Sequence, residues 1–163
     1  MNMDNNLAKK ELIKLAKRAY RNGEVPVGAF VVNENDQIIG RGANKTHQTK
    51  DGLMHAELIA IRQAEKRLGD WRLKGCTLYV TLEPCLMCLG AIGNSRIDRV
   101  VYVLKDPLFG SVASKLSTAQ VKKMYPKLKV EKLRGEEEVA ELMTSFFKDL
   151  RTREKKFRMG ANN

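Results

Sequence analysis

CTLYVTLEPCLMCLGAIG, residues 76–93, changes character halfway along. Cys76 to Leu82 is rich in β-branched and aromatic residues, which predicts a strand. Cys85 to Gly93 is small and apolar, which predicts a short helix with Pro84 at its first position, where a missing N–H costs nothing. A strand that runs straight into a helix, with two cysteines at the junction, is half of an α/β unit.

The flanking sequence repeats that alternation. Leu7 to Tyr20 carries Leu12, Leu15, Ala16 and Ala19 at helical spacing, and Gly23 stops it. Val25 to Val32 is an apolar run that pairs as a hairpin with Gln37 to Gly42 across the turn Asn33–Asp36. Thr46 to Gly52 is polar and predicts a loop. From His55 to about Leu68 the apolar positions Leu58, Ile59, Ile61 and Ala64 predict a buried helix. Downstream, Arg99 to Leu104 predicts a strand and Leu128 to Leu133 a weaker edge strand. The final helix shows one stripe of Val139, Leu142, Met143, Phe146, Phe147 and Leu150, with Glu136 to Glu138 at its start and Lys148 and Arg151 near its end, as the helix dipole favours. The expectation is an α/β layered domain with a mainly parallel sheet and a hairpin at its start. Residues 1–163 read as a single domain, with a basic C-terminal helix and tail from about residue 148. Gly40-Arg41-Gly42 lacks the third glycine of a dinucleotide fingerprint.

A formal charge of +11 favours polyanionic partners, nucleic acid or an anionic surface. The cations concentrate at 148–158, with a second set at Lys122, Lys123, Lys127, Lys129 and Lys132. No apolar run approaches the ~20 residues of a membrane span. The first residues lack the apolar core of a signal peptide. These features predict a cytoplasmic protein with no membrane partner. Three cysteines, two of them in Cys-x-x-Cys, suit metal or redox chemistry there better than a disulfide framework.

Cys85 and Cys88 share one face at a helix start, where free N–H groups and the dipole stabilise thiolates. Thiolates are zinc ligands, and His55, opening its own helix, is the third candidate. Cys76 and His47 are the few spare candidates for a fourth. Three ligands and an open position describe a catalytic zinc site. Glu57 lies two residues from His55, and on a regular helix the two would point nearly opposite ways. They serve one site only if His55 has a non-helical backbone at the helix entrance. Glu57 would then move protons for a zinc-activated water. A redox pair gains nothing from His55 and Glu57, and a structural zinc site has no use for a proton shuttle.

HAE at 55–57 and TLEPCLMC at 81–88, with Val25-Pro26-Val27-Gly28-Ala29 upstream, resemble the zinc-dependent nucleobase deaminases, for which H-x-E…P-C-x-x-C is the established signature. EVPVGA, Asn44, TLYVTLEPCLMC, NSRIDRVVY and SFFKDLR are similar to the bacterial tRNA-specific adenosine deaminases, from about Leu7 to Lys155. The resemblance implies a three-layer α/β/α cytidine-deaminase-like fold with a five-stranded mixed sheet, and a homodimer with one zinc per subunit. It implies hydrolytic deamination of adenosine to inosine at the wobble position of a tRNA anticodon stem-loop. His55, Cys85 and Cys88 would hold zinc, and Glu57 would shuttle protons. Asn44, Asp106, Phe147 and Arg151 match positions that approach the substrate nucleoside or the RNA.

The chain departs from the family pattern at Asp51-Gly52-Leu53-Met54, where Asp-Pro-Thr-Ala is frequent. It departs again at Leu108 and Phe109, where a Lys and a Thr are frequent. The first departure predicts a more flexible and more apolar pocket edge, the second a lost phosphate contact. A deaminase of a free base or nucleotide, such as guanine, cytosine or deoxycytidylate, shares the same chemistry. The basic tail and the Phe-Phe-x-x-x-Arg helix oppose it. A non-catalytic zinc-stabilised RNA-binding module would leave Glu57 without a purpose.

Overall fold

The computed structural model describes residues 3–161. Asp4 caps the first helix, its carboxylate accepting the N–H groups of Asn6 and Leu7. In chain order the elements are α1 (Asn5–Arg21), β1 (Gly28–Val32), β2 (Ile38–Ala43), α2 (Thr46–Thr49), α3 (Ala56–Leu68) and β3 (Thr77–Leu82). They continue with α4 (Leu86–Asn94), β4 (Arg99–Leu104), α5 (Thr118–Met124), β5 (Lys129–Lys132) and α6 (Glu137–Gly160).

The strands form one five-stranded sheet in the order β2-β1-β3-β4-β5. Only β3/β4 and β4/β5 pair in parallel; β1 is antiparallel to both β2 and β3. The sheet is therefore mixed, as the family resemblance implies, and not mainly parallel as the alternation of elements suggested. The hairpin sets β1 and β2 in opposite directions, and the crossover through α3 lays β3 on the far side of β1.

Alternate residues supply two cores. Ala29, Val31, Leu78, Val80, Val100 and Tyr102 face α3, α4 and α5. Phe30, Val32, Tyr79, Val101 and Val103 face α1 and the start of α6. Strand β1 is covered on both sides and buried throughout, which is why it reads as a continuous apolar run.

Helix α3 lies very close to β2. A Cβ added to Gly42 would come within 2.0 Å of the Ala56 carbonyl oxygen, and one on Gly40 within 2.1 Å of that of Ala60. These two glycines, with Ala56, Ala60 and Ala64 opposite, let helix backbone rest on strand backbone. Gly42→Ala is expected to cost about 1–3 kcal/mol by overpacking. Urea unfolding would detect it, and a variant as stable as the wild type would contradict this seating.

Three local expectations change. Thr46 to Thr49 is a single helical turn rather than loop, because the buried Glu24 carboxylate accepts the N–H groups of His47 and Gln48. Pro84 is not the first helical residue: Cys85 is the N-cap, with extended backbone (φ −72°, ψ 173°), and the helix begins at Leu86. Helix α5 was not anticipated, although Ser117 and Gln120 form a capping box at its start. The basic segment after residue 148 is helical as far as Gly160.

Candidate active site

Helices α3 and α4 bring their first residues together, and each starts on a metal-type ligand. His55 is the N-cap of α3 with φ −74° and ψ 148°, the extended backbone that a shared site with Glu57 requires. The capping bond comes from elsewhere. Asn44, just after β2, accepts the Ala56 N–H on its Oδ1 at 2.8 Å, which leaves the His55 imidazole free. The residues leading into α3 are turned by Asp51, which accepts Leu53 N–H on Oδ1 and Met54 N–H on its carbonyl. Leu53 is exposed, and residues 51–54 are not among those that line the cavity above Glu57.

Cys85 caps α4, and Cys88 lies in its first turn. The Sγ atoms of Cys85 and Cys88 are 3.7 and 3.5 Å from His55 Nδ1, and all three donor atoms lie within 4.8 Å of one another. Tetrahedral zinc, with bonds of ~2.0–2.1 Å to nitrogen and ~2.3 Å to sulfur, sets N···S separations of about 3.5 Å. The donor set fits that ion. Among the described residues this is the one such group of three or more. Cys76 is buried and is not part of this group, and burial pushes its thiol up to about 11.

The protein groups alone share protons unevenly across this cluster. The Cys85 thiol is drawn down to about 4, first by the hydrogen bond from Cys88 and then by His55. The Cys88 pKa rises for the same reason, because its thiol is the donor in that bond. His55 is raised by its hydrogen bond with Cys85. Glu57 is buried beside them, and burial pushes its carboxyl up to about 7. Its Oε2 is a buried oxygen without a protein partner. Burying an unsatisfied carboxylate is costly, so this oxygen points to a small polar ligand at the site.

Glu83 has the opposite character. It is 2 % exposed and accepts N–H groups from Asp106, Val112, Ala113 and Ser114. The Ser114 hydroxyl adds a further bond. This carboxylate straps the loop 106–114 to the segment ahead of Cys85, and Gly110 completes the strap through a bridge to Cys85.

A cavity of about 700 Å³ opens above His55, Glu57 and Cys85. Asn44, Asp106 and Phe147 all line it. With Oδ1 of Asn44 taken by Ala56, its amide nitrogen is the group left for a ligand. Asp106 spends its Oδ1 on the N–H groups of Leu108 and Phe109. Phe146 is core, edge-on to Tyr20, whereas Phe147 is 39 % exposed. Arg151 does not reach the cavity. It lines a separate surface depression with Glu154, Lys155 and Arg158, one turn farther along α6. Sequence reading missed His47, Glu24 and Glu83 as lining residues. The only linear signal for the two acids is their position beside apolar stretches.

Residues 2–104 match the family model of the cytidine and deoxycytidylate deaminase zinc-binding region. The chain is 42% identical over 146 residues to the tRNA-specific adenosine deaminase of Bacillus subtilis (strain 168), covering 90% of each. A structure from biochemical and structural studies of A-to-I editing by tRNA:A34 deaminases at the wobble position of transfer RNA is 36% identical. It superposes with a TM-score of 0.73, covering 78% of this chain and 97% of that one. The guanine deaminase structure from Bacillus subtilis is 31% identical with a TM-score of 0.60, covering 72% of this chain and 83% of that one.

Proposed function

The chain belongs to the cytidine and deoxycytidylate deaminase zinc-binding family and, within it, to the tRNA-specific adenosine deaminases, and we infer that it converts adenosine to inosine at the wobble position of a tRNA anticodon. The observation that carries the hydrolytic deamination is the unpartnered, buried Oε2 of Glu57 beside a three-donor His55, Cys85 and Cys88 cluster, and the likeness to tRNA-specific adenosine deaminases carries the substrate.

His55, Cys85 and Cys88 are the proposed zinc ligands. When bound there, zinc supplies a Lewis acid that brings the pKa of water toward neutrality. Every proton movement then belongs to Glu57. Its carboxylate takes a proton from the attacking water and returns it to the adenine ring. It then moves a proton to the departing amine, so that adenosine and water leave as inosine and ammonia. Glu57 has no competing protein partner on Oε2, and its burial favours holding a proton near neutral pH. The Asn44 amide nitrogen orients the nucleoside, and Met143 and Phe147 exclude water from one side of the cavity. Asp106 positions the RNA through the loop that it organises, and Arg151 meets phosphate outside the cavity.

Charge supports an RNA substrate. Lys148, Arg151, Arg153, Lys155, Lys156 and Arg158 stand on α6 against only Asp149 and Glu154. The buried residues of this helix end at Phe146, so its basic end is not part of the core. Removing residues 151–163 is expected to weaken stem-loop binding about 10-fold at 100 mM salt and to flatten its salt dependence, with zinc content unchanged. Equal loss of zinc and RNA binding would assign that segment to the fold instead.

The whole chain acts as one domain in this reading, and a homodimer with one zinc per subunit is the assembly, which light scattering tests. Among the described residues no helix is long and apolar enough to cross a membrane. The cytoplasm is the place where a tRNA editor meets its substrate.

The deciding assay uses zinc-loaded protein. Its substrates are a stem-loop with a wobble adenosine, the same RNA with that adenosine moved, and free guanine, cytosine and deoxycytidylate. Inosine at the wobble position alone is expected. Turnover of guanine with the RNA untouched would transfer the site to small-molecule deamination.

A further inference from the structure

Two large apolar side chains stand in water at the mouth of the cavity. Leu108 is 71% exposed and Phe109 70%, and both line the space above Glu57. Their loop is fixed in place. Asp106 Oδ1 holds the N–H groups of Leu108 (3.0 Å) and Phe109 (3.2 Å). The Gly110 N–H donates to the Asp106 carbonyl at 2.9 Å, and the Ser111 N–H to the Pro84 carbonyl at 2.8 Å. With Gly110 bridged to Cys85, the backbone of Phe109 is tied to the start of α4, and hence to the reacting centre. On the α6 side of the mouth, Met143 and Phe147 line the same cavity. The Phe147 ring is backed edge-on by buried Phe146, at 5.4 Å between centroids.

The chemistry of the rim selects its occupant. It is continuous with the reaction site; Lys105 lines the same cavity, and the cations of α6 begin at Lys148, the residue after Phe147. Apolar and aromatic surface next to the basic end of α6 matches single-stranded nucleic acid, which offers π-faces and phosphates together. A base turned out of a strand into a pocket leaves its neighbour without a stacking partner. We propose that Phe109 is the surface on which the base adjacent to the reacting adenine stacks, with Leu108 closing its edge. This deepens the function proposed above and rests on RNA being the substrate. A phenyl ring reads the presence of a neighbouring base rather than its identity, so it separates an RNA strand from a free nucleoside.

The test uses the zinc-loaded full chain as wild type, Phe109→Ala and Phe109→Trp. Stem-loops carry either an intact base or an abasic site on each side of the reacting adenosine. Phe109→Ala is expected to lower kcat/KM about 10-fold on intact RNA, mainly through KM. It should have no effect on the RNA whose stacked neighbour is already abasic, and Phe109→Trp should restore the loss. 2-Aminopurine at that neighbouring position should be quenched on binding to the wild type and stay bright with Phe109→Ala. Equal losses on intact and both abasic RNAs would make Phe109 a mere support of the loop and overturn the proposal, as would no loss at all. A wild type inactive on every stem-loop but active on guanine would overturn the RNA reading first and the stacking role with it. That result is distinct because it appears before any variant is compared.

Discussion

Glu57→Gln is expected to lower kcat by about 10²–10⁴-fold while the protein keeps its zinc. The amide matches the carboxylate in size but neither accepts a proton from water nor returns one to the base. No ligand is removed, since the donor group consists of His55, Cys85 and Cys88. The substitution also relieves a strained arrangement: a carboxyl raised to about 7 by burial, with one oxygen unpartnered, becomes a neutral group. The folded protein should therefore survive it. Single-turnover assays on the stem-loop, with atomic absorption for zinc, separate the two properties. A variant that has lost its zinc, or that retains activity within 10-fold of the wild type, would remove Glu57 from the role of proton carrier.

Glu83→Ala should act in the reverse way, on the fold first and on chemistry through it. Four backbone N–H groups and one hydroxyl converge on this carboxylate. Removing it strands those donors in the interior. A loss of about 3–5 kcal/mol follows, at the upper end for one residue. Loosening of the loop that meets Cys85 should also weaken zinc binding. The pH dependence gives a sharper check. Burial alone would raise the Glu83 pKa, but the bonds from Ser114, Asp106 and Ala113 outweigh it, so the folded carboxyl titrates below its ordinary value. A depressed folded pKa gives stability that is fully present above the ordinary value, about 4.5, and is lost as pH falls through the folded one. Urea unfolding with chelator throughout should show wild-type stability falling below about pH 4.5, and Glu83→Gln, weaker at neutral pH, losing less of it. Identical acid profiles would place the acid sensitivity elsewhere.

These two glutamates also mark how far the sequence could be read. The place of Glu57 beside the donor cluster was legible because its neighbours are signalled by spacing: a His two residues before it, a Cys-x-x-Cys later, and one geometric condition on His55 that the extended backbone meets. Glu83 sits next to the same motif, yet its role depends on which N–H groups a loop more than twenty residues away turns inward. Spacing carries no trace of that. The same limit explains Arg151. Its four-residue offset from Phe147 puts both on one face of α6, but the cavity closes before the second of them. It explains Asn44 as well, whose oxygen is committed to Ala56. The strands were readable as apolar, β-branched runs, whereas the direction of β1 relative to β3 depends on where a crossover lands. Helix α5 hid in a polar stretch that buries a single residue, Val121.

The donor cluster joins residues 30 and 33 positions apart, across the α3–β3 crossover. That separation imposes an order of assembly. In an unfolded chain Cys85 and Cys88 are already neighbours, whereas His55 must wait for a long loop to close, at an entropic cost that local pairs do not bear. Metal added during refolding should therefore be captured first by the two thiols, with nitrogen ligation arriving only as the sheet forms. Once closed, the bound ion is a clasp across that crossover, and binding energy becomes resistance to unfolding. The lifetime of the folded chain is then set partly by how tightly the surroundings compete for zinc.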